Sequence, residues 1–174
     1  MKILVLNGSP RANGNTAKMV AAFREGAEDA GSSVTVIEVC KKRIGGCMAC
    51  EYCHTKGNGQ CVQKDDMQEI YQALQDADML VLASPIYYHG LSGQLKCVID
   101  RFYSAAYPEG PKKLKKAAMF LSSGASGQYE GARYSFENDF LGYLGLQNMG
   151  FYTCAGSVSE KVLREIRTLG EQCL

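Results

Sequence analysis

Residues 2–16 read Lys2-Ile-Leu-Val-Leu-Asn-Gly-Ser-Pro-Arg-Ala-Asn-Gly-Asn-Thr16. An apolar run of strand character stops at Asn7-Gly8, a small polar loop follows, and a helical pattern begins near Thr16. A strand that feeds a helix through such a loop gathers unpaired backbone N–H groups and the positive end of a helix dipole around one point, which favours an anion and above all a phosphate. The loop is not the triphosphate-binding kind, because Gly14-Asn15-Thr16 lacks the lysine that reaches outer phosphates. Gly8 and Gly14 do not give the G-x-G-x-x-G spacing of dinucleotide loops either. Ser9, Asn13, Asn15 and Thr16 offer hydroxyls and amides to a single terminal phosphate, and Arg11 can add a charge-assisted bond. The competing reading is a plain strand-to-helix turn capped by Asn15 or Thr16.

Strand patterns recur at 2–7, 33–39, 79–84, 117–122 and 150–155, and helical patterns near 16–30, 65–75, 93–104, 129–147 and 159–169. Runs such as Ile3-Leu-Val-Leu6 and Met79-Leu-Val-Leu-Ala83 are continuously apolar, as strands buried on both faces must be. Gly31 suits a helix C-cap, and Asp65-Asp66 puts negative charge where the next helix dipole favours it. Alternating strands and helices predict an α/β fold with an open, doubly wound parallel sheet in one domain over 1–174, interrupted by a cysteine-rich insertion at about 44–64.

The 174 residues suffice for one full core, and a formal net charge of +1 argues against a general nucleic-acid or anionic-membrane binder. The dense basic run Lys112-Lys113-Leu-Lys115-Lys116 reads as a solvated loop or helix end. No apolar stretch approaches the ~20 residues that span a membrane, and the first apolar run is too short for a signal-peptide core. A cytoplasmic protein is the expectation, and its eight cysteines are then thiols or ligands rather than structural disulfides.

Doubly wound sheets bind ligands beyond the carboxyl ends of their strands, so the segments 8–16, 84–90 and 122–131 should converge. Ser84-Pro-Ile-Tyr-Tyr-His-Gly90 offers a proline-stiffened backbone and two aromatics beside a planar ring. Ser122-Ser-Gly-Ala-Ser-Gly127 lets backbone approach a flat ligand closely. With the phosphate loop, this composition suits FMN. His89 reads as a proton donor or as plain polar surface.

Gly8-Ser-Pro-Arg-x-x-Gly-Asn-Thr16, Ser84-Pro-Ile-Tyr87 and Ser92-Gly-Gln-Leu-Lys-x-x-x-Asp-Arg101 together resemble the NADPH-dependent FMN reductases of flavodoxin-like fold, over residues 1 to about 155. That resemblance implies a three-layer sandwich whose five-stranded parallel sheet has the order 2-1-3-4-5, with FMN bound noncovalently. It implies that Ser9, Arg11, Asn15 and Thr16 cradle the phosphate. Pro85, Ile86, Tyr87 and Tyr88 would contact the ring, with Ser123 and Gly124 on its other side. NADH or NADPH would supply electrons, a small molecule or protein would accept them, and a homodimer or homotetramer is expected. The rival from another class is a flavodoxin-like carrier without turnover of its own. Lys96 and Asp100 read as a helix-surface ion pair, and neither they nor Arg101 are expected to be catalytic.

Cys47, Cys50, Cys53 and Cys61 follow the spacing C-x2-C-x2-C-x7-C. Steps of three resemble a ferredoxin-type ligand run, and four thiolates match a 4Fe–4S cluster. The same four could hold tetrahedral zinc with His54 in reserve, or remain thiols, with Cys50 and Cys53 as a redox pair. The pattern resembles the iron–sulfur flavoproteins, a branch of the same group, which implies a cluster exchanging electrons with FMN. The segment Cys61–Met67 also resembles the wider family, whose members often lack one of the four cysteines and hold no cluster. Cys40, Cys97 and Cys154 are expected as small core residues, and Cys173 as a free thiol in a fraying terminus.

Overall fold

In the computed structural model, which describes residues 1–173, the apolar runs become β1 (Lys2–Asn7), β2 (Ser33–Glu38), β3 (Met79–Tyr87), β5 (Lys116–Ser123) and β6 (Gln147–Ala155). They pair in parallel in the order β2-β1-β3-β5-β6, while the two-residue β4 (Gly90–Leu91) folds back antiparallel on β3. Counting the parallel strands alone, this is the expected order 2-1-3-4-5. Continuous hydrophobicity is explained by the two cores it serves. Along β1, Ile3 and Val5 enter one core and Leu4 and Leu6 the other.

Helices α1 (Asn15–Asp29) and α7 (Glu160–Glu171) cover the first core, burying Met19, Phe23 and Ile166 against Val5, Val81 and Phe120. The opposite layer comprises α2 (Met67–Asp76), α3 (Gly93–Asp100), α4 (Phe102–Ala105), α5 (Glu130–Tyr134) and α6 (Leu141–Leu144). None of the described helices is long and apolar enough to cross a membrane.

Helices α1 and α7 touch backbone to backbone. A Cβ at Gly26 would stand 2.2 Å from the Arg167 carbonyl oxygen, and one at Gly170 would stand 2.4 Å from that of Phe23. Arg167 ties the crossing further, through Glu25 at 2.7 Å and Asp29 at 2.6 Å. Gly170→Ala must push the helices apart, and overpacking of this kind costs about 2 kcal/mol. The expected result is a thermal midpoint lowered by about 4–8 °C for a domain of this size, read by calorimetry. An unchanged midpoint would mean that the crossing yields freely.

Several boundaries differ from the sequence expectation. The helix expected over 129–147 is divided into α5, a π-helical turn at Ser135–Phe140, and α6, which ends at Gly145. Strand β6 begins at Gln147 rather than 150, because the register shifts between Ala117 and Ala118 and the Asn148 side chain accepts the Gly150 N–H. Such a bulge hides the strand's start from periodicity. The helix expected over 93–104 divides at Arg101, and β3 runs three residues past Ser84 into a hairpin with β4. Strand β2 stops at Glu38, and Val39–Lys41 forms a 3₁₀ turn.

Three cysteines sit elsewhere than expected. Cys40 lies in that 3₁₀ turn, only half-buried, and donates its S–H to the Ser9 carbonyl at 3.2 Å. Cys173 is buried beneath the sheet, 3.6 Å from the Met79 sulfur, because the end of α7 packs inward rather than fraying. Cys97 is only half-buried on α3 and joins neither core, because it falls between the inward-facing Leu95 and Val98 of that helix, whereas Cys154 is a core residue as expected.

Candidate functional site

The carboxyl ends of β1, β3 and β5 open into a cleft of about 300 Å³ lined by Ser9, Arg11, Gly14, Asn15, Thr16, Pro85, Ile86, Tyr87, Ser122, Ser123, Gly124 and Gly156. The three segments expected to converge do so. Gly8 allows the first loop to lie against α3, since a Cβ there would fall 2.6 Å from Ser92 Oγ and 2.7 Å from Leu95 Cβ. Asn7 then turns the loop by accepting the Ser9 N–H at 3.0 Å, and Ser9 Oγ accepts the Arg11 N–H at 3.3 Å.

The donor set fits a phosphate. Gly14, not Asn15 or Thr16, stands at the N-cap of α1 and offers no side chain, so the first N–H groups of the helix are left for a ligand. Buried Thr16 shares one hydrogen bond of 2.8 Å with Ser122, and two hydroxyls sharing one bond leave a second proton to donate. The Asn15 amide is engaged elsewhere: it donates to the Gly156 carbonyl and accepts the Val158 N–H at 3.2 Å, pinning the loop after β6.

Where a ring would lie, Ser84 Oγ accepts the Ser92 N–H at 2.9 Å and donates to the Pro85 carbonyl at 2.7 Å, fixing the 85–87 backbone. On the facing side Tyr129 OH bonds Ser123 Oγ at 2.6 Å and donates to the Cys154 carbonyl at 2.7 Å. Tyr87 lines the cleft, but the hairpin turns at Tyr88 and His89, with φ of 48° and 61°, and leaves Tyr88 fully exposed. Exposed Asn13 also stands outside the lining. Gly14, Ser122 and Gly156 join it, and the small residues after the last strand were the available signal for Gly156. A larger groove of about 410 Å³ lies at the amino ends of β1 and β2, away from the loops that follow the strands, and Lys2, Glu69 and Asp76 are its charged lining.

The insertion brings Cys47, Cys50, Cys53 and Cys61 to one small cavity, which Arg101, Tyr103 and Ser104 also line. Cys47 and Cys50 are exposed, Cys53 and Cys61 buried. Ala49 and Glu51, with φ of 50° and 55°, bend the chain sharply on both sides of Cys50, and the Ala49 N–H points at Cys47 Sγ at 3.4 Å. Left-handed backbone at two residues that are not glycine is strain held in place by the surroundings. Those surroundings are visible: His54 is sandwiched between the rings of Tyr103 at 3.9 Å and Tyr107 at 4.3 Å, and Tyr103 OH donates to Glu51 at 2.9 Å. Burial pushes the Cys53 thiol up, and neighbouring Cys61 and Cys47 add to the effect. Among the described residues no three His, Cys, Asp or Glu side chains are grouped as around a single ion.

Arg101 is 1% exposed and closes the cavity from beneath. Its guanidinium donates to both Asp65 oxygens at 2.9 and 3.2 Å, to the Gly45 carbonyl at 2.9 Å and to Tyr71 OH at 3.3 Å. Burial opposes the charge on Asp65, but Arg101 and the N–H groups of Gly45 and Met67 outweigh it and hold the carboxyl below its usual value. A depressed carboxylate stabilises the fold fully above the unfolded-state value near pH 4, and the contribution drains away as pH falls through the folded value. Asp65→Asn strands a buried cation, and its expected cost at pH 7 is about 3–5 kcal/mol. The gap between wild type and variant should narrow with acidification in urea titrations at pH 7 and pH 3; a constant gap would contradict it.

The fold is flavodoxin-like, with a cleft at the switch point of its sheet whose donors suit a phosphate. Residues 1–160 match the NADPH-dependent FMN reductase family, and the chain belongs to that family. An iron-sulfur flavoprotein of Archaeoglobus fulgidus is 31% identical over 176 residues, covering 99% of this chain and 78% of that protein. An iron-sulfur flavoprotein of Methanocaldococcus jannaschii is 36% identical over 125 residues, covering 71% of this chain and 62% of that protein. The chain spans as little as about half the length of some curated relatives it matches. The structure superposes on the NAD(P)H:quinone oxidoreductase of Methanothermobacter marburgensis with a TM-score of 0.78 at 22% identity, covering 98% of this chain and 94% of that one. At this identity the likeness establishes the flavodoxin-like fold.

Proposed function

We propose that this chain takes electrons from NADH or NADPH into FMN and passes them on through a 4Fe–4S cluster held by Cys47, Cys50, Cys53 and Cys61. The observation that carries this reading is the convergence of all four motif thiols on one cavity, in a chain that also builds a mononucleotide cleft. The names of its relatives support the cluster.

Ser9, Arg11, Thr16 and the first N–H groups of α1 hold the FMN phosphate. Asn15 contributes through its backbone, its side chain being spent on the 156–158 loop. Pro85, Ile86 and Tyr87 position one side of the ring, and Ser123 and Gly124 the other. Bound flavin supplies the exchange between a two-electron hydride donor and a one-electron acceptor. The protein contributes orientation and exclusion of competing reactions, with no acid, base or nucleophile required from the chain. Asn13 and Tyr88, outside the cleft lining, can meet only parts of the ligands that project past the rim, or a second copy in a homodimer or homotetramer. The final acceptor is a small molecule or a protein.

Steady-state oxidation of NADH and NADPH with a quinone or free flavin as acceptor tests the enzymatic reading. Turnover by the FMN-loaded protein alone is expected. Turnover that begins only after a separate reductase is added would make the chain a carrier.

A further inference from the structure

Arg101 is the one cation among the residues that line the cysteine cavity, and Glu51 at its rim is the one anion. Four bonds from its guanidinium to Asp65, Gly45 and Tyr71 lock Arg101 in place, so the charge cannot swing away. Its partner Asp65 is not part of the lining. Arg101 is therefore the member of the ion pair that borders the cavity, and Asp65 is the more distant one. Arg101 is buried and Asp65 only partly exposed, so the pair is screened less than a surface pair, and its nearer member dominates the field felt in the cavity.

We infer that the Arg101–Asp65 pair sets the reduction potential of the group held by Cys47, Cys50, Cys53 and Cys61, with Arg101 favouring its reduced form. This rests on the cluster reading above. One electron entering the cluster, supplied by the reduced flavin, makes that group one unit more negative. The nearby guanidinium lowers the cost of the added charge. No bond forms or breaks, and no proton moves. Arg101 is a positioning residue in this role, touching the cavity wall and ligating nothing.

The two members of the pair must then act with opposite sign. Arg101→Gln removes the nearer charge and should make the cluster harder to reduce. Asp65→Asn removes the more distant charge and should make the cluster easier to reduce. Arg101→Lys keeps the charge while giving up the forked geometry. A residue that merely holds the fold together would shift both neutralising variants in the same direction, or neither.

The test is an anaerobic redox titration followed by electron paramagnetic resonance, after iron and sulfide have been assayed in each protein. At the wild-type midpoint, the reduced-to-oxidised ratio is expected to fall about tenfold in Arg101→Gln, a shift of about 59 mV for one electron. It should rise by a similar factor in Asp65→Asn and stay within about twofold of wild type in Arg101→Lys, from the sign and size of charge effects on such centres. Should Arg101→Gln fail to retain iron, the rise in Asp65→Asn against an unmoved Arg101→Lys still supports the inference. Shifts of one sign in both neutralising variants, or an unmoved ratio in Asp65→Asn, would overturn it while leaving the cluster intact. Wild-type protein without iron and sulfide would overturn the cluster reading first, and this inference with it.

Discussion

Thr16→Glu is expected to give folded protein that no longer retains FMN. Thr16 sits at the start of α1, buried, with its hydroxyl against Ser122 at the phosphate end of the cleft. A carboxylate at a helix N-terminus is favoured by the dipole, and the cleft of about 300 Å³ has room for the longer side chain, so the fold should hold. For the ligand both effects reverse: the variant side chain fills the anion position and repels the phosphate. Loss of a charge-assisted bond costs about 1.5–3 kcal/mol, and like-charge juxtaposition adds several more. FMN affinity should drop at least about a thousandfold, for a total of about 4 kcal/mol. Thr16→Val, which removes only the hydroxyl, should lose about 10- to 100-fold. Flavin fluorescence quenching on titration with FMN measures both. Unchanged affinity in Thr16→Glu would place the phosphate elsewhere.

Cys50→Ala is expected to lose most of its iron and sulfide while keeping FMN at wild-type stoichiometry. Cys50 is exposed at the cavity mouth between two left-handed residues, so its truncation opens no hole in either core. A cubane cluster takes one thiolate on each iron, and three ligands leave one iron open to solvent and loss. The cysteine cavity and the cleft share no lining residue, which is why FMN should be indifferent. Iron retained at the wild-type level would remove Cys50 from the ligand set. Loss of FMN together with iron would show that the two sites are coupled through the fold.

The strand–loop–helix at residues 2–16 is legible because it is local: the apolar run, the polar loop and the start of α1 follow one another in sequence. The parallel sheet is legible for a similar reason, since strands serving two cores leave no polar alternation. The hairpin after β3 is less so. A turn with two positive φ values is ordinarily announced by Asn-Gly or Gly-Gly, and here Tyr88-His89 carries it, so the sequence places Tyr88 beside the ring while the backbone turns it to solvent. The burial of Arg101 is the least legible feature. Its strongest partner, Asp65, lies 36 residues away, and an arginine at the end of an amphipathic helix reads as surface. The insertion is legible as four spaced cysteines, but its seating on Tyr103, Ser104 and Tyr107 depends on contacts between distant segments. The places of Cys40 and Cys173 depend on the same kind of contact, one set by a turn that ends β2 early and the other by inward packing of a chain end.

The most direct measurement is the ultraviolet–visible spectrum of the protein purified without oxygen. Two resolved flavin bands above a broad charge-transfer absorbance that bleaches on reduction are the result expected of FMN beside a 4Fe–4S cluster. A colourless protein that takes up no added FMN would contradict the central claim. Flavin bands without the broad absorbance would keep the reductase and remove the cluster.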